Sequence, residues 1–173
     1  FIVSRRPPGS TPVYSSAESD VDKRQIYEDV EGTLTIDDIS SKQYEKQFIP
    51  STSLRPGFGF TKSVYWVRFA VVDESVNTNW FLQVSYPPLD YLDLYSINEH
   101  GGFSVQKMGD LRPFADREIE NNQSIFSLVV DKKERVFFLR IESQSSLSIP
   151  LTILSGKKLA ETVGINNYFQ GIY

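Results

Sequence analysis

Cysteine is absent from this 173-residue chain, and histidine occurs once, as His100. Without cysteine there is no disulfide framework, no thiolate metal site and no cysteine nucleophile. One imidazole is too few for a zinc site, and any Ser/His/Asp triad would have to be built on His100. That residue lies in Glu99-His100-Gly101-Gly102, a hairpin-turn sequence, and reads as a solvated turn position. No uninterrupted apolar run of about 18 residues is present, so no segment reads as a membrane-spanning helix. Eighteen Lys and Arg stand against 22 Asp and Glu with no basic block, which argues against nucleic acid as a partner. EF-hand spacing is also missing, although Asp90, Asp93 and Asp110 could supply oxygen ligands to calcium.

The composition that remains is that of a folded domain. Hydrophobic residues make up 40% and charged residues 23%, close to the globular norm, so wholesale disorder is not expected. The length suits one buried core and is short for two. Aromatic residues reach 13%, which favours strands over a helical bundle. The Ser-, Pro- and Arg-rich stretch from Ser4 to Asp20 reads as an extended arm or leader remnant. The expected organisation is an arm over residues 1–24, a β-sandwich over 25–156 and an exit segment over 157–173.

Gly32 to Ile36 alternates weakly and reads as a short strand. Asp37-Asp38 offers a helix N-cap ahead of one or two turns across Ile39 to Phe48, and Pro50 to Gly59 reads as loop. Stronger signals follow. Val64 to Val72 alternates, with Tyr65, Val67, Phe69 and Val71 on one face and Trp66, Arg68, Ala70 and Val72 on the other. Trp80 to Tyr86, Tyr91 to Ile97, Phe103 to Met108, Ile125 to Val130, Val136 to Glu142 and Ile149 to Leu154 complete the strand set. Tyr91 to Ile97 and Phe103 to Met108 flank the Gly101-Gly102 turn and should pair as a hairpin. Short strands at this spacing, with no alternating helices and no repeat, predict an all-β sandwich with short helical turns. Lys157 to Glu161 has the composition to start a helix. The aromatic stretch around Tyr168-Phe169 suits a membrane interface.

Candidate chemistry lies on the less apolar strand faces. Trp66 and Arg68, Arg140 and Glu142, and Tyr91, Asp93 and Tyr95 each share a face by period-two spacing. In one sheet they would gather aromatics, guanidinium groups and carboxylates on a surface suited to a sugar or another small polar ligand. The same residues have plainer readings: Trp66 as a core filler, and Arg68 and Arg140 in exposed ion pairs with Glu142 or Asp93. Asp110, Asp116, Glu118 and Glu120 cluster as a glycosidase pair would, but a loop cluster in an acidic chain is ordinarily solvated, so no enzyme activity is expected. No cofactor is called for.

Gly57-Phe58-Gly59 followed by Val64-Tyr65-Trp66-Val67-Arg68-Phe69 resembles the central signature of a receptor family. Further matching stretches are Tyr86-Pro87-Pro88-Leu89-Asp90, Leu92-Asp93-Leu94-Tyr95, Gly109-Asp110 with Pro113-Phe114, Arg117, Arg140-Ile141-Glu142-Ser143 and Asn167-Tyr168-Phe169-Gln170-Gly171. Their order, from Gln25 to Tyr173, is similar to the type 2 extracellular domain of bacterial seven-transmembrane receptors with diverse intracellular signalling modules. The resemblance implies a jelly-roll sandwich like that of carbohydrate-binding modules, on the periplasmic side of an inner-membrane receptor. It implies that the domain precedes transmembrane helices of the same chain and a histidine kinase or diguanylate cyclase output. On that reading Trp66, Arg68, Tyr91, Asp93, Tyr95, Arg117, Arg140 and Glu142 are the ligand-binding candidates. The ligand would be a carbohydrate or other small polar molecule; the alternative is a module that pairs with a second copy or a partner receptor.

Overall fold

A strand with an apolar residue at every second position must bury that face, and two such sheets do so by packing together. A computed structural model of the chain describes residues 18–20, 24–51, 57–60, 62–73, 79–85, 89–113, 124–143, 146–148 and 150–163. In chain order its elements are strands β1 (Glu18–Asp20) and β2 (Gln25–Asp29), then the single-turn helices α1 (Ile36–Ile39) and α2 (Lys42–Glu45). Strands β3 (Ile49–Pro50), β4 (Gly57–Phe60), β5 (Val64–Val71), β6 (Trp80–Val84), β7 (Tyr91–Ile97) and β8 (Phe103–Met108) follow. The chain continues through β9 (Ser124–Leu128), β10 (Arg135–Glu142), β11 (Ser146–Ser148) and β12 (Leu151–Ser155) into helix α3 (Gly156–Val163).

Among the described residues, one sheet has the order β3-β2-β5-β10-β7-β8, a second the order β1-β12-β6-β9, and β11 pairs with β4 apart from both. Every pairing is antiparallel. Between the two large sheets lies one apolar cluster. It takes Val67, Phe69, Leu139, Ile141, Leu92 and Leu94 from the first sheet, and Leu82, Val84, Phe126 and Ile153 from the second. The all-β sandwich expected from the alternation is therefore present, with inner faces as the period-two reading assigns them. At the sheet edges, the Gln106 side chain donates to the Ser127 carbonyl at 2.8 Å and accepts from its N–H at 3.3 Å. That amide satisfies both edge groups of Ser127, beside which no further strand runs among the described residues.

Each outer face carries a cover. On the second sheet, α3 buries Leu159 against Phe81, Ile125 and Leu154. On the first, the segment through α1 and α2 lays Ile39 and Phe48 over Val64, Trp66 and Phe138, with Tyr27, Leu34, Tyr44, Tyr95 and Phe103 around them. The chain is steered there by Asp29. Its buried carboxylate accepts from Gly32 N–H at 2.9 Å and Leu34 N–H at 3.0 Å, and Gly32 turns at φ 66°.

The N-terminal elements depart from expectation. Gly32 to Ile36 is no strand; it is the lead-in to α1, because Thr35 caps one turn earlier than Asp37-Asp38 would. Asp38 N–H donates to Thr35 Oγ1 at 3.3 Å, while the Asp38 carboxylate accepts from Thr35 N–H at 2.9 Å. This reciprocal capping box places Asp38 at the third helical position rather than at the cap. Ile39 to Phe48 holds α2, in line with the one or two turns expected there, and Ser40-Ser41 separates it from α1, which ends at Ile39. The stretch read as loop, Pro50 to Gly59, overlaps the end of β3 and most of β4. Strand β2 escaped notice because its pattern, Gln-Ile-Tyr-Glu-Asp, is short and mostly polar. It nevertheless pairs along β5 from Gln25–Arg68 to Asp29–Val64.

Candidate functional site

Register decides which side chains meet. Strand β10 lies between β5 and β7, so Arg140 stands directly opposite Trp66 on one side and Asp93 on the other. The next row on this outer face is Arg68, Phe138 and Tyr95, and Tyr91 stands opposite Glu142. Seven of the eight residues proposed from sequence thus share one sheet face; Arg117 lies outside the described residues.

Sharing a face does not make one site of them, because the α1–α2 cover divides it. Trp66 is fully buried, at 0% exposure, within the covered cluster. Its ring lies 5.8 Å from that of Tyr95, and its indole N–H finds no acceptor among the described residues. Of the two roles left open by the sequence, core filler is the one seen, and Trp66 presents no ring face to a ligand. Arg68 sits at the other end of the cover. Its guanidinium donates to Gln25 Oε1 at 2.8 Å and lies 3.6 Å from the exposed Glu45 carboxylate. It pairs with neither Glu142 nor Asp93, the partners expected for it, because both lie toward the opposite end of the face.

Beyond the cover, the remaining residues form a polar patch. Arg140 and Glu142, two apart on β10 and so side by side, pair at 2.9 Å. Glu142 is 44% exposed and Arg140 18%, so the pair opens to solvent on the carboxylate side. Asp93, nearly buried, is bound at 2.5 Å by Arg112, a residue the sequence reading passed over. Arg112 Nη1 also donates to the Leu92 carbonyl at 3.1 Å and the Met108 carbonyl at 2.8 Å, and its guanidinium covers the Tyr91 ring at 5.1 Å. Burial, and then the Asp93 charge, raise the Tyr95 hydroxyl above its ordinary pKa, against smaller opposing effects of Arg140 and Arg112.

The loop that delivers Arg112 depends on a glycine. Gly109 has φ 137°, and a Cβ there would lie 2.1 Å from the Asp90 carbonyl oxygen. This close approach lets Asp110 N–H and Leu111 N–H donate to the Leu89 and Asp90 carbonyls, at 2.8 and 3.2 Å. The loop therefore folds back over the start of β7, and Arg112 enters the end of the β7–β8 pair. The signal was available: Arg112 stands between Gly109-Asp110 and Pro113, inside a stretch already singled out.

His100 stands exposed in the β7–β8 turn, where Asn98 Oδ1 accepts from the His100 and Gly102 amides, both at 3.0 Å. Among the described residues no three His, Asp or Glu side chains gather to hold a metal ion. No helix among them is long and apolar enough to cross a membrane. Asp116, Glu118 and Glu120 lie outside the described residues.

Against this geometry the family comparison is decisive. The model of the family 7TMR-DISM extracellular 2 matches residues 22–155, the span of both large sheets apart from β1. The chain belongs to that family. A 7TMR-DISM extracellular 2 domain is an extracellular sensory domain of a transmembrane receptor, and the Asp93–Arg112 and Arg140–Glu142 pairs lie on strands or loops inside the matched region. A search of curated proteins found no match.

Proposed function

We propose that this domain senses a neutral, hydroxyl-rich small molecule, a mono- or oligosaccharide, at the patch formed by Tyr91, Asp93, Tyr95, Arg112, Arg140 and Glu142. In this reading it is the periplasmic input domain of a bacterial inner-membrane receptor with a kinase or diguanylate cyclase output. The observation that carries the proposal is the pairing of charges. Two guanidinium groups and two carboxylates are matched within the patch, beside the Tyr91 ring. A matched set offers donors and acceptors with no net charge, which suits alternating hydroxyls better than an anion or a cation. Aromatic rings pack on the apolar face of a sugar ring in the same setting. A bound ligand changes the output only by its differential affinity for two receptor states.

Thermal-shift screening against neutral sugars, uronates and amino acids tests the proposal. At a ligand concentration about 100 times the Kd, stability rises by about 2.7 kcal/mol. Arg140→Ala and Glu142→Gln should remove the response to the neutral sugar while the domain stays folded. A hit that responds equally in both variants would place the site elsewhere.

A second reading, self-association or pairing with a partner receptor, draws on β8. Among the described residues that strand ends its sheet, and Val105 and neighbouring Ile97 on β7 are exposed. Sedimentation of the isolated domain across a wide concentration range separates the two, because only this reading requires a concentration-dependent mass.

A further inference from the structure

We infer that a second site, separate from the polar patch, takes a small amphipathic carboxylate in the groove between the α1–α2 cover and the β10–β7–β8 end of the sheet. The groove has a volume of about 270 Å³. Phe48, Phe103, Val136 and Phe138 give it apolar walls, and Arg68 and Glu45 are its charged groups. Phe48 and Phe103 each stand 6.2 Å from Phe138, ring centre to ring centre, so the three rings make a continuous aromatic surface.

Arg68 makes this groove more than a packing defect. Gln25, its direct neighbour on β2, fixes the guanidinium through Nη1 at 2.8 Å. Among the described residues Nη2 meets only the Glu45 carboxylate, 3.6 Å away, well beyond the 2.7–2.9 Å of a formed charge-assisted bond. Glu45 is itself 57% exposed on a single-turn helix, so it can swing into water at little cost. The result is a cation oriented by one neutral partner, beside apolar walls and with donor capacity unused. An incoming carboxylate would complete it bidentately.

Other ligand classes fit less well. A sugar would press its hydroxyls against Phe and Val side chains that offer no partner. A dianionic phosphate would meet one cation and a competing carboxylate. The groove, at about 270 Å³, suits a small guest of one ring and a short acid arm. The class is therefore a single-ring arylalkanoate or an aliphatic acid of similar size.

The test titrates the ¹⁵N-labelled chain with phenylacetate. Saturable shifts should centre on the Arg68 Nε–H and on the amides of Phe48, Phe103 and Phe138. Phenylacetamide, of the same shape without the charge, should bind about tenfold more weakly or worse, and Arg68→Gln should weaken phenylacetate by a similar factor. Glu45→Gln, at an exposed position, should tighten phenylacetate by about two- to threefold because it removes the competing carboxylate. Equal binding of phenylacetate and phenylacetamide overturns the inference, as do shifts centred outside the groove or no saturable shift. So does unchanged affinity in either variant. If Arg68→Gln does not fold, the amide comparison and Glu45→Gln decide.

Discussion

Trp66→Ala separates a core tryptophan from a ligand platform, and the structure sets its size. The indole is wholly buried beneath the α1–α2 cover, against Phe138, Val64 and Tyr95. Truncation to Ala removes about 180 Å² of buried apolar surface, worth about 4.5 kcal/mol at about 25 cal/mol per Å². Against that, the indole N–H has no acceptor among the described residues, and losing it returns about 1–2 kcal/mol of desolvation. The expected net cost is about 3 kcal/mol, at the lower end of the range for a large aromatic in a core. Urea denaturation followed by far-ultraviolet circular dichroism reads this directly, without relying on the fluorophore that has been removed. Arg140→Ala is the internal comparison: its pair with Glu142 opens to solvent, so its loss should cost less than about 1 kcal/mol. A Trp66→Ala domain within about 0.5 kcal/mol of the parent would refute the burial argument. Trp66 would then have to stand at the surface.

Three further outcomes are expected. Arg112→Ala leaves the nearly buried Asp93 carboxylate without its guanidinium partner and should cost about 3 kcal/mol in urea denaturation, with the double change to Ala at both positions recovering part of it. Simple additivity of the two changes would show that the pair is not coupled. Gly109→Ala forces a Cβ into the Asp90 carbonyl at a backbone angle that L-residues rarely adopt, and should cost about 3–5 kcal/mol; an unchanged melting temperature would contradict the close approach. Burial, and then the charge of Asp93, hold the Tyr95 hydroxyl above the ordinary value near 10. In the unfolded chain it ionises at that ordinary value, so unfolding releases a proton, and stability is full below about pH 10 and falls as pH rises through the folded value. Tyr95→Phe should flatten the decline in stability as pH rises above about 10; equal slopes in parent and variant would refute the assignment.

Much of the fold was legible because period two is a strict code. On Val64–Val71 and Arg135–Glu142, alternate residues fall in different apolar clusters, Phe69 and Leu139 between the sheets and Trp66 and Phe138 beneath the cover. Weak elements were lost where tertiary contacts outrank local pattern. Strand β2 is only five residues, yet it is held along β5 with its Glu28 carboxylate accepting from Ser63 Oγ at 2.7 Å and Tyr65 Oη at 3.0 Å. Nothing within Gln-Ile-Tyr-Glu-Asp announces those partners. The helix start was misplaced for a related reason: Thr35 and Asp38 cap each other, and two adjacent aspartates a turn later mimic the same signal.

The site was harder to read because alternation assigns a face and says nothing of what covers it. Trp66 and Arg140 are direct cross-strand neighbours on one outer face, yet one is sealed and the other reaches solvent. The difference lies in Thr35 to Phe48, more than fifteen residues before Trp66, whose path depends on a turn held by the Asp29 carboxylate. No periodicity within β5 or β10 carries that information. Arg112 shows the converse. It belongs to no strand and has no period, and it reaches Asp93 only because Gly109 permits the loop to touch the Asp90 backbone. On a sheet whose strands all alternate cleanly, the covering segment and the anchoring loop decide where a ligand can reach. Their turn residues, Asp29 with Gly32 and Gly109 with Arg112, are therefore as informative about the site as the strand residues beneath them.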